Sequence, residues 1–363
     1  MSEPAAAPSF REQFPVLERY AYLNAGTEGP VPQAAEDAVR ARVHLDLTEG
    51  RAGKAYFEEV LGLAERARAG YATAMGADPS EVALTNSTTY GVNTVLAGLS
   101  LAPGDEIVTS DQEHPGVLAP LRRAQATYGV SVRVVPFAEL PGEVHEGTRL
   151  VACSHVSWVG GEVMDVAALR ATGVPILLDA AQALGAIPVD VHELGVDFYA
   201  GSGQKWMCGP EGSGALYVRP DRLGELEPPF PGHGTVADHH DPLGSALAET
   251  TARLDDGFPS ALRSTWALAS MGVLAGAGWA WVHEHANAGA ELLAELLNSR
   301  GRVVAPRGRS TLVSWRSDDA DSDVARLATQ GIIVRSIPSA GLVRASVGAW
   351  TSEEELNRLA ELA

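Results

Sequence analysis

The sequence predicts an α/β protein built on a mostly parallel sheet with helices on both faces, joined to a smaller α+β domain. Three observations lead there. Between residues 81 and 218, short apolar segments alternate with amphipathic helical ones, the pattern of a parallel sheet with crossover helices. The 363 residues are 45% hydrophobic, ample for a large core and long enough for two linked domains. After residue 259, a long helical stretch precedes three strands and a terminal helix.

Taken in order, residues 1–9 read as a frayed, Ala/Pro-rich terminus without the basic region and apolar core of a signal peptide. Residues 10–20 read as a short helix. Residues 22–32 (YLNAGTEGPVP) are punctuated by Gly, Pro and Asn and read as loop. Residues 33–75 are helical in pattern, interrupted at 49–53. Strands follow at 81–85, 106–110, 131–136, 150–154, 176–179, 198–201 and 215–218, with helices at 88–99, 117–128 and 166–172. Residues 219–259 hold six prolines and His233, His239 and His240, and read as a long irregular connection. No acid or Cys spacing makes those histidines metal ligands, so solvated side chains are expected, some of them within reach of the active site. Residues 260–300 return to helix. Gly272, Gly276 and Gly278 there suggest close helix packing, and they break the 266–282 stretch enough to favour a buried helix over a membrane span. Strands at 311–315, 332–335 and 342–346 precede a helix at 352–362, which opens on Ser-Glu-Glu-Glu, an N-cap signature.

Lys and Arg number 27 against 46 Asp and Glu, a net charge of −19. Such a surface repels phosphate backbones, which argues against nucleic acid and anionic membrane as partners. The two cysteines, Cys153 and Cys208, form no CxxC pair, so neither a zinc site nor a disulfide framework is expected, and a reducing, cytoplasmic setting fits.

Residues 176–218 (ILLDAAQALGAIPVDVHELGVDFYAGSGQKWMCGPEGSGALYV) carry the chemistry. Asp179 ends a buried-strand run, where an open α/β sheet presents residues to its ligand crevice. Lys205 follows another strand in a Gly/Ser-rich loop, in neither a helical nor a strand pattern. Such a lysine can hold a cofactor aldehyde as a Schiff base, while an acid keeps a pyridine nitrogen protonated. Asp179 could merely cap a helix starting at Ala180, and Lys205 alone could be a solvated loop lysine.

With these residues in place, the chain resembles the class V aminotransferase group of fold-type I pyridoxal-phosphate enzymes. That group includes cysteine desulfurases, cyst(e)ine C–S lyases, isopenicillin N epimerase-like proteins and kynureninase. Six blocks carry the resemblance in the family's order: LTNSTTYGVN (84–93), GDEIVTSDQEHPG (104–116), SHVSWVGGEVMDV (154–166), LLDAAQALGAIPVDV (177–191), DFYAGSGQKWMCGPEGSGALYV (197–218) and LVRASVGAWTSEEEL (342–356). The resemblance implies a large domain over residues 20–259 with a mostly parallel seven-stranded sheet, and a small α+β domain from 1–19 and 260–363. It implies pyridoxal 5'-phosphate as cofactor and a homodimer with the active site at the interface. It also implies roles. Lys205 would form the Schiff base and then move the substrate's α-proton. Asp179 would pair with the pyridinium nitrogen, Gln182 would bond the phenolic oxygen, and His114 would stack on the ring. Thr88, Thr89 and Ser202 would hold the phosphate, with the helix N-terminus contributing. Arg344 would bind the substrate carboxylate, while Trp158 and Ala25 would line the substrate pocket.

The departures matter as much. Gln204 stands where the family often has a phosphate-binding His, and Phe258 follows Gly257 where a Thr often reaches the neighbouring subunit's phosphate. Trp158 stands where desulfurases have Asn, as in cystine C–S lyases. The segment that presents a desulfurase's nucleophilic Cys is here only residues 336–341 (SIPSAG). A persulfide relay is therefore disfavoured. The first expectation is a C–S lyase that β-eliminates cysteine, cystine or an S-substituted cysteine to pyruvate and ammonia without a catalytic thiol. The alternatives are an aminotransferase or epimerase acting on an amino acid and, outside enzymology, a cofactor-binding regulator. The intact Lys205–Asp179–Arg344 set and the lack of a basic DNA-binding segment argue against the last.

Overall fold

The computed structural model describes residues 9–363, so the expectation for residues 1–8 lies outside the described residues. Its strands, in chain order, are β1 (Ala21–Tyr22), β2 (Val82–Thr85), β3 (Glu106–Ser110), β4 (Ser131–Val135), β5 (Thr148–Ser154), β6 (Ile176–Asp179), β7 (Phe198–Ser202), β8 (Gly214–Val218), β9 (Leu312–Arg316), β10 (Ile332–Ile333), β11 (Arg335–Ile337) and β12 (Leu342–Ser346). Its helices are α1 (Gln33–Thr48), α2 (Gly53–Met75), α3 (Thr88–Gly98), α4 (Pro115–Tyr128), α5 (Val166–Ala171), α6 (Val191–Leu194), α7 (Ala261–Ala277), α8 (Trp279–Ser299), α9 (Ala320–Thr329) and α10 (Glu353–Leu362).

Seven strands form the central sheet in the order β2-β8-β7-β6-β5-β3-β4. All neighbouring pairs are parallel except those made by β8, which runs antiparallel to β2 and β7. The strands are apolar throughout because both faces are covered. On β6, Ile176 and Leu178 face one core and Leu177 the other; on β8, Ala215 and Tyr217 part from Leu216 and Val218 in the same way. A second sheet, β11-β12-β9, is antiparallel and packs Val313, Trp315, Val343 and Ala345 against Leu293 and Leu297 of α8 and Leu356 and Leu359 of α10. The N-terminal segment joins this part: β1 pairs with β10, Asn24 bridges Ser346, and Ala21 and Leu23 lie in its core. The Ser352 capping box closes the start of α10 as its sequence suggested.

Several expectations are corrected. Residues 10–20 form two short 3-10 turns, Arg11–Gln13 and Pro15–Glu18, because Pro15 has no N–H to donate and holds Phe14 out of helical geometry (φ −119, ψ 86). The long helix over 260–300 is two helices, broken at Gly278 with φ +88. Gly272 and Gly276 do not mediate close packing. A Cβ at either would meet nothing within 4 Å, and both line an open groove beside Phe10 and Ala34. The strand over 332–335 divides into β10 and β11, which belong to different sheets. Residues 219–259 hold 3-10 turns and one isolated bridge, Val236 to Leu247; there His233 stacks on His239 at 4.0 Å, and none of the three histidines lines the cleft at the carboxyl ends of the parallel strands. Among the described residues no group of three or more His, Cys, Asp or Glu could hold a metal ion, and no helix is long and apolar enough to cross a membrane.

Candidate active site

The carboxyl ends of the parallel strands, where an open α/β sheet binds its ligands, open onto one cleft of about 220 Å³. Asp179 is the last residue of β6, Ser202 the last of β7, and His114 and Trp158 follow β3 and β5. From the second sheet come Arg335, at the start of β11, and Arg344, in the middle of β12.

Lys205 lies in the turn after β7 with no carboxylate within 4.0 Å among the described residues. Burial, then Arg344 and Arg335, press its pKa down to about 8, while Asp179 and Glu28 oppose the shift. About one-tenth of such a lysine is neutral at pH 7, several hundredfold more than for an ordinary one. Asp179 is buried, and its Oδ1 accepts from the Ala181 N–H at 2.8 Å, so the turn-capping role is real. Burial raises its pKa against the pull of Lys205, so a cation placed on its free oxygen would be held strongly.

His114 is the N-cap of α4. Its Nδ1 accepts from the Gly116 N–H at 3.0 Å, which leaves the ring proton on Nε2. Burial, with Lys205, Arg335 and Arg344, pushes its pKa down to about 4, so the ring is neutral at pH 7. It meets Trp158 edge-on at 5.1 Å. Thr88 opens α3, Ser87 caps that helix, and the Thr88 and Ser202 hydroxyls touch at 2.7 Å. With Thr89 they place hydroxyls and free backbone N–H groups at a helix start, a ready anion site.

Gln182 is held at both ends, donating from Nε2 to the Gly26 carbonyl at 2.7 Å and accepting from Trp206 Nε1 at 3.1 Å. One Nε2 hydrogen remains for a ligand. Arg344 is fully buried, donates from NH1 to the Trp158 carbonyl at 2.7 Å, and has no partner for Nε or NH2 among the described residues. Trp158 Nε1, Gln204 Oε1 and Ser346 Oγ are also buried without partners. Buried polar groups are rarely left so, and this concentration marks where a polar ligand would sit.

Ala25 is corrected: it is fully buried and does not line the cleft; Gly26 does. A Cβ at Gly26 would lie 2.7 Å from Ser346 Oγ and 2.9 Å from Arg344 NH2 and Gln182 Oε1, so only glycine fits. Neither cysteine lines the cleft. Both are buried, and burial drives both thiols far above their usual pKa. Residues 336–341 comprise the end of β11 and the tight hairpin turn, 338–341, that leads into β12. Phe258 is exposed at the rim of a second cleft, near His233 and Arg68.

Sequence reasoning missed Glu28, Arg335 and Glu113. Arg335 lies over the Trp158 ring at 5.7 Å and donates to Thr27 Oγ1 at 3.2 Å. Glu113 is buried beside His114, takes bonds from the Ser110 hydroxyl and the Ser154 N–H and hydroxyl, and is raised to about 7 by burial. The DQEHPG block around His114 contained the signal for Glu113; nothing local announced the other two.

The model of the family described as Aminotransferase class-V matches residues 23–359. A protein named probable cysteine desulfurase from Methanothermobacter thermautotrophicus is 30% identical over 97% of this chain and 96% of its own. Isopenicillin N epimerase of Streptomyces clavuligerus is 35% identical over 57% of this chain and 55% of its own. Among solved structures, the cystine C–S lyase C-DES in complex with its reaction product cysteine persulfide is 30% identical, with a TM-score of 0.90 over 96% of this chain and 99% of that one. A C-DES mutant with glycine covalently linked to its PLP cofactor superimposes with a TM-score of 0.92 at 30% identity, over 98% and 99%.

Proposed function

The chain belongs to the aminotransferase class-V family of pyridoxal-phosphate-dependent enzymes, and from that premise we propose that it is a C–S lyase acting on cystine or another S-substituted cysteine. The cleft fits the cofactor: it combines a buried carboxylate, a neutral flat ring, a hydroxyl-lined helix start and a depressed lysine. Lys205 would hold the aldehyde, Asp179 the pyridine nitrogen, Gln182 the phenolic oxygen and His114 the ring face. Thr88, Thr89, Ser202 and Gln204 would hold the phosphate. When bound, the cofactor's ring is the electron sink that makes the substrate's Cα proton acidic.

The protein's own work is then to bind, orient and move protons. Arg344 anchors the α-carboxylate through Nε and NH2, which fixes the Cα–H bond relative to Lys205. Lys205 Nζ, neutral once released, takes the Cα proton. The Cβ–S bond breaks and its electron pair leaves with sulfur, which gains a proton. Water then converts the three-carbon fragment to pyruvate and ammonia. No thiol of the enzyme enters this sequence.

The observation that carries the reading is the position of the chain's two cysteines: both are buried away from the cleft, and the hairpin over residues 336–341 has none. Arg335 adds a second cation beside Arg344, which suits a substrate with a second carboxylate, as cystine has. C-DES, with cysteine persulfide as its product, supports the same chemistry. The test is to incubate holoenzyme with cystine, cysteine and S-alkyl cysteines and to measure pyruvate and sulfur products. Stoichiometric pyruvate from cystine is expected. Amino transfer to a keto acid, or loss of α-chirality without pyruvate, would overturn it in favour of an aminotransferase or epimerase, a reading favoured by the isopenicillin N epimerase relative.

We also propose a homodimer with two domains in each chain, and the small domain expected from residues 1–19 and 260–363 gains residues 21–24, since β1 pairs with β10 and Asn24 bridges Ser346. Exposed Val31, Val43, Leu47 and Leu61 on and around α1 and α2 support the dimer, and light scattering tests it. A cytoplasmic setting is proposed from the two unpaired cysteines.

A further inference from the structure

The loop that carries Lys205 contains a backbone feature that the proposed chemistry does not use. Cys208, three residues past the lysine, has φ +54, and it is the one residue other than glycine with positive φ among the described residues. That conformation brings Cβ against the backbone, so an L-residue holds it only where its surroundings oblige it to. Here the turn closes the loop. The Cys208 N–H donates to the Lys205 carbonyl at 3.1 Å, and the Gly209 N–H donates to the Gly203 carbonyl at 2.8 Å. Rotation of Cys208 to negative φ would swing its own carbonyl and the Gly209 N–H away. It would break the second bond, which joins the two ends of the loop around Lys205.

Two side chains hold the turn. The Cys208 carbonyl accepts from Ser270 Oγ at 2.7 Å and from Trp266 Nε1 at 3.3 Å. Both donors stand on α7, four residues apart and so on one helix face, and Ser270 is fully buried. In a relaxed turn the Ser270 hydroxyl would lose this acceptor inside the core, a cost that opposes relaxation. The N-terminal turn holds the loop as well: the Gly29 N–H donates to the Gln204 carbonyl at 2.8 Å, and a Cβ at Gly29 would lie 2.1 Å from the Lys205 carbonyl oxygen. Two segments remote in sequence thus grip the main chain of the lysine loop. The Cys208 thiol takes no part. What matters is the Cβ that disfavours the conformation and the carbonyl that is held.

We propose that Ser270 and Trp266 are positioning residues for Lys205: their bonds to the Cys208 carbonyl hold a turn that its own Cβ disfavours, and the turn sets where the Lys205 side chain enters the cleft. No residue of α7 lines that cleft, so the influence runs through the main chain of the loop. Loss of either donor shifts the turn towards negative φ and lowers the fraction of molecules with the lysine in place. The role goes beyond the lyase reading, because every reaction open to this site has Lys205 hold the cofactor and move the substrate's Cα proton.

The test is the rate of pyridoxal-phosphate loading onto apoprotein, followed by visible absorbance, with the melting temperature measured alongside. In Ser270→Ala loading should slow about tenfold, the scale of one hydrogen bond. Trp266→Phe loses the longer bond and keeps an aromatic ring; it should slow loading less, and it carries the same test and rescues if Ser270→Ala does not fold. In the loaded variants kcat should fall while KM stays within about twofold of wild type, since Arg344 still holds the carboxylate. The deciding comparison is rescue by relief of strain. Glycine takes positive φ without steric cost, so adding Cys208→Gly to Ser270→Ala should return loading to within about twofold of wild type. Adding Cys208→Ala keeps the Cβ and should restore nothing. Both double variants empty part of the core and should melt lower than Ser270→Ala alone. Loading and melting thus part company in the glycine variant, which a merely structural role would not produce. Unchanged loading in both single variants, equal rescue by glycine and alanine, or loading that follows Tm through the series would overturn the proposal. Loading needs no substrate, so failure of the lyase reading on the substrate panel is a separate result and leaves this one standing.

Discussion

Replacing Arg344 by methionine should stabilise the apoprotein while removing substrate binding. The guanidinium is fully buried, and its one protein bond is to the Trp158 carbonyl, with Nε and NH2 unpartnered among the described residues. Burial, and then Arg335, press its pKa from 12.5 to about 9. That depression corresponds to roughly 5 kcal/mol of disfavoured charge, an order-of-magnitude figure. For a base with a lowered folded pKa, the penalty is complete below about 9 and fades as pH rises above it, so it is fully present at pH 7 to 8. Arg344→Met removes it and loses the bond to Trp158, which costs about 1–3 kcal/mol with its acceptor left bare. The net gain is about 2–4 kcal/mol. At about 2.1 cal/mol/K per residue, a chain of 363 residues unfolds with about 0.8 kcal/mol/K, so Tm should rise by about 3–5 °C. The assay is scanning calorimetry of both apoproteins, repeated with an amino-acid carboxylate added. The added carboxylate should raise the wild-type Tm and leave the variant's unmoved. A variant that melts lower than wild type without ligand would refute the reasoning, since it would mean the guanidinium is already satisfied.

Three further outcomes follow from the same geometry. Because Lys205 is pressed down to about 8, cofactor loading onto the apoprotein should accelerate about tenfold per pH unit up to about pH 8 and then level off; a rate still climbing at pH 10, read by stopped-flow absorbance, would mean an unperturbed lysine. The double variant Cys153→Ala, Cys208→Ala should keep kcat for cystine within about twofold while melting lower, since both side chains fill core positions; a collapse of kcat in a folded variant would restore a thiol mechanism. Gly26→Ala should raise KM far more than it lowers kcat and should cost about 1–3 kcal/mol, because its methyl would press on Arg344 NH2 and Gln182 Oε1 at 2.9 Å; normal KM for cystine would show that the turn yields freely.

What the sequence made legible depended on how local the signal was. Strands β3, β6 and β12 ran as their apolar segments suggested, because burial on both faces needs only a short apolar run. Asp179 and Lys205 were readable because one ends its strand and the other lies shortly after its own, and such residues open onto a common crevice, whereas His114 was legible only through the family resemblance. Gly278 and Pro15 broke helices whose periodicity looked continuous, since one backbone restriction outweighs many weak side-chain preferences. Arg335 and Glu28 were not readable. They are separated by hundreds of residues and reach one cleft only because β1 joins β10, a two-residue pairing too short for any pattern to announce.

The acidic surface adds a constraint on what can reach this site. The net charge of −19 opposes any anion approaching from solution, yet the cleft itself is cationic: Lys205, Arg335 and Arg344 outnumber Asp179 and Glu28 along its lining. An anion must cross the first field to benefit from the second, whereas a molecule with balanced charges crosses it without opposition. Cystine at neutral pH is such a molecule. The expected consequence is a difference in salt response. Between 10 mM and 150 mM salt the Debye length falls from about 30 Å to about 8 Å, so kcat/KM for a singly anionic substrate, the mixed disulfide of cysteine with 3-mercaptopropionate, should rise as surface repulsion is screened. That for cystine should stay nearly flat. Parallel salt responses for the two substrates would mean that the surface field does not select, and that discrimination rests on contacts within the cleft alone.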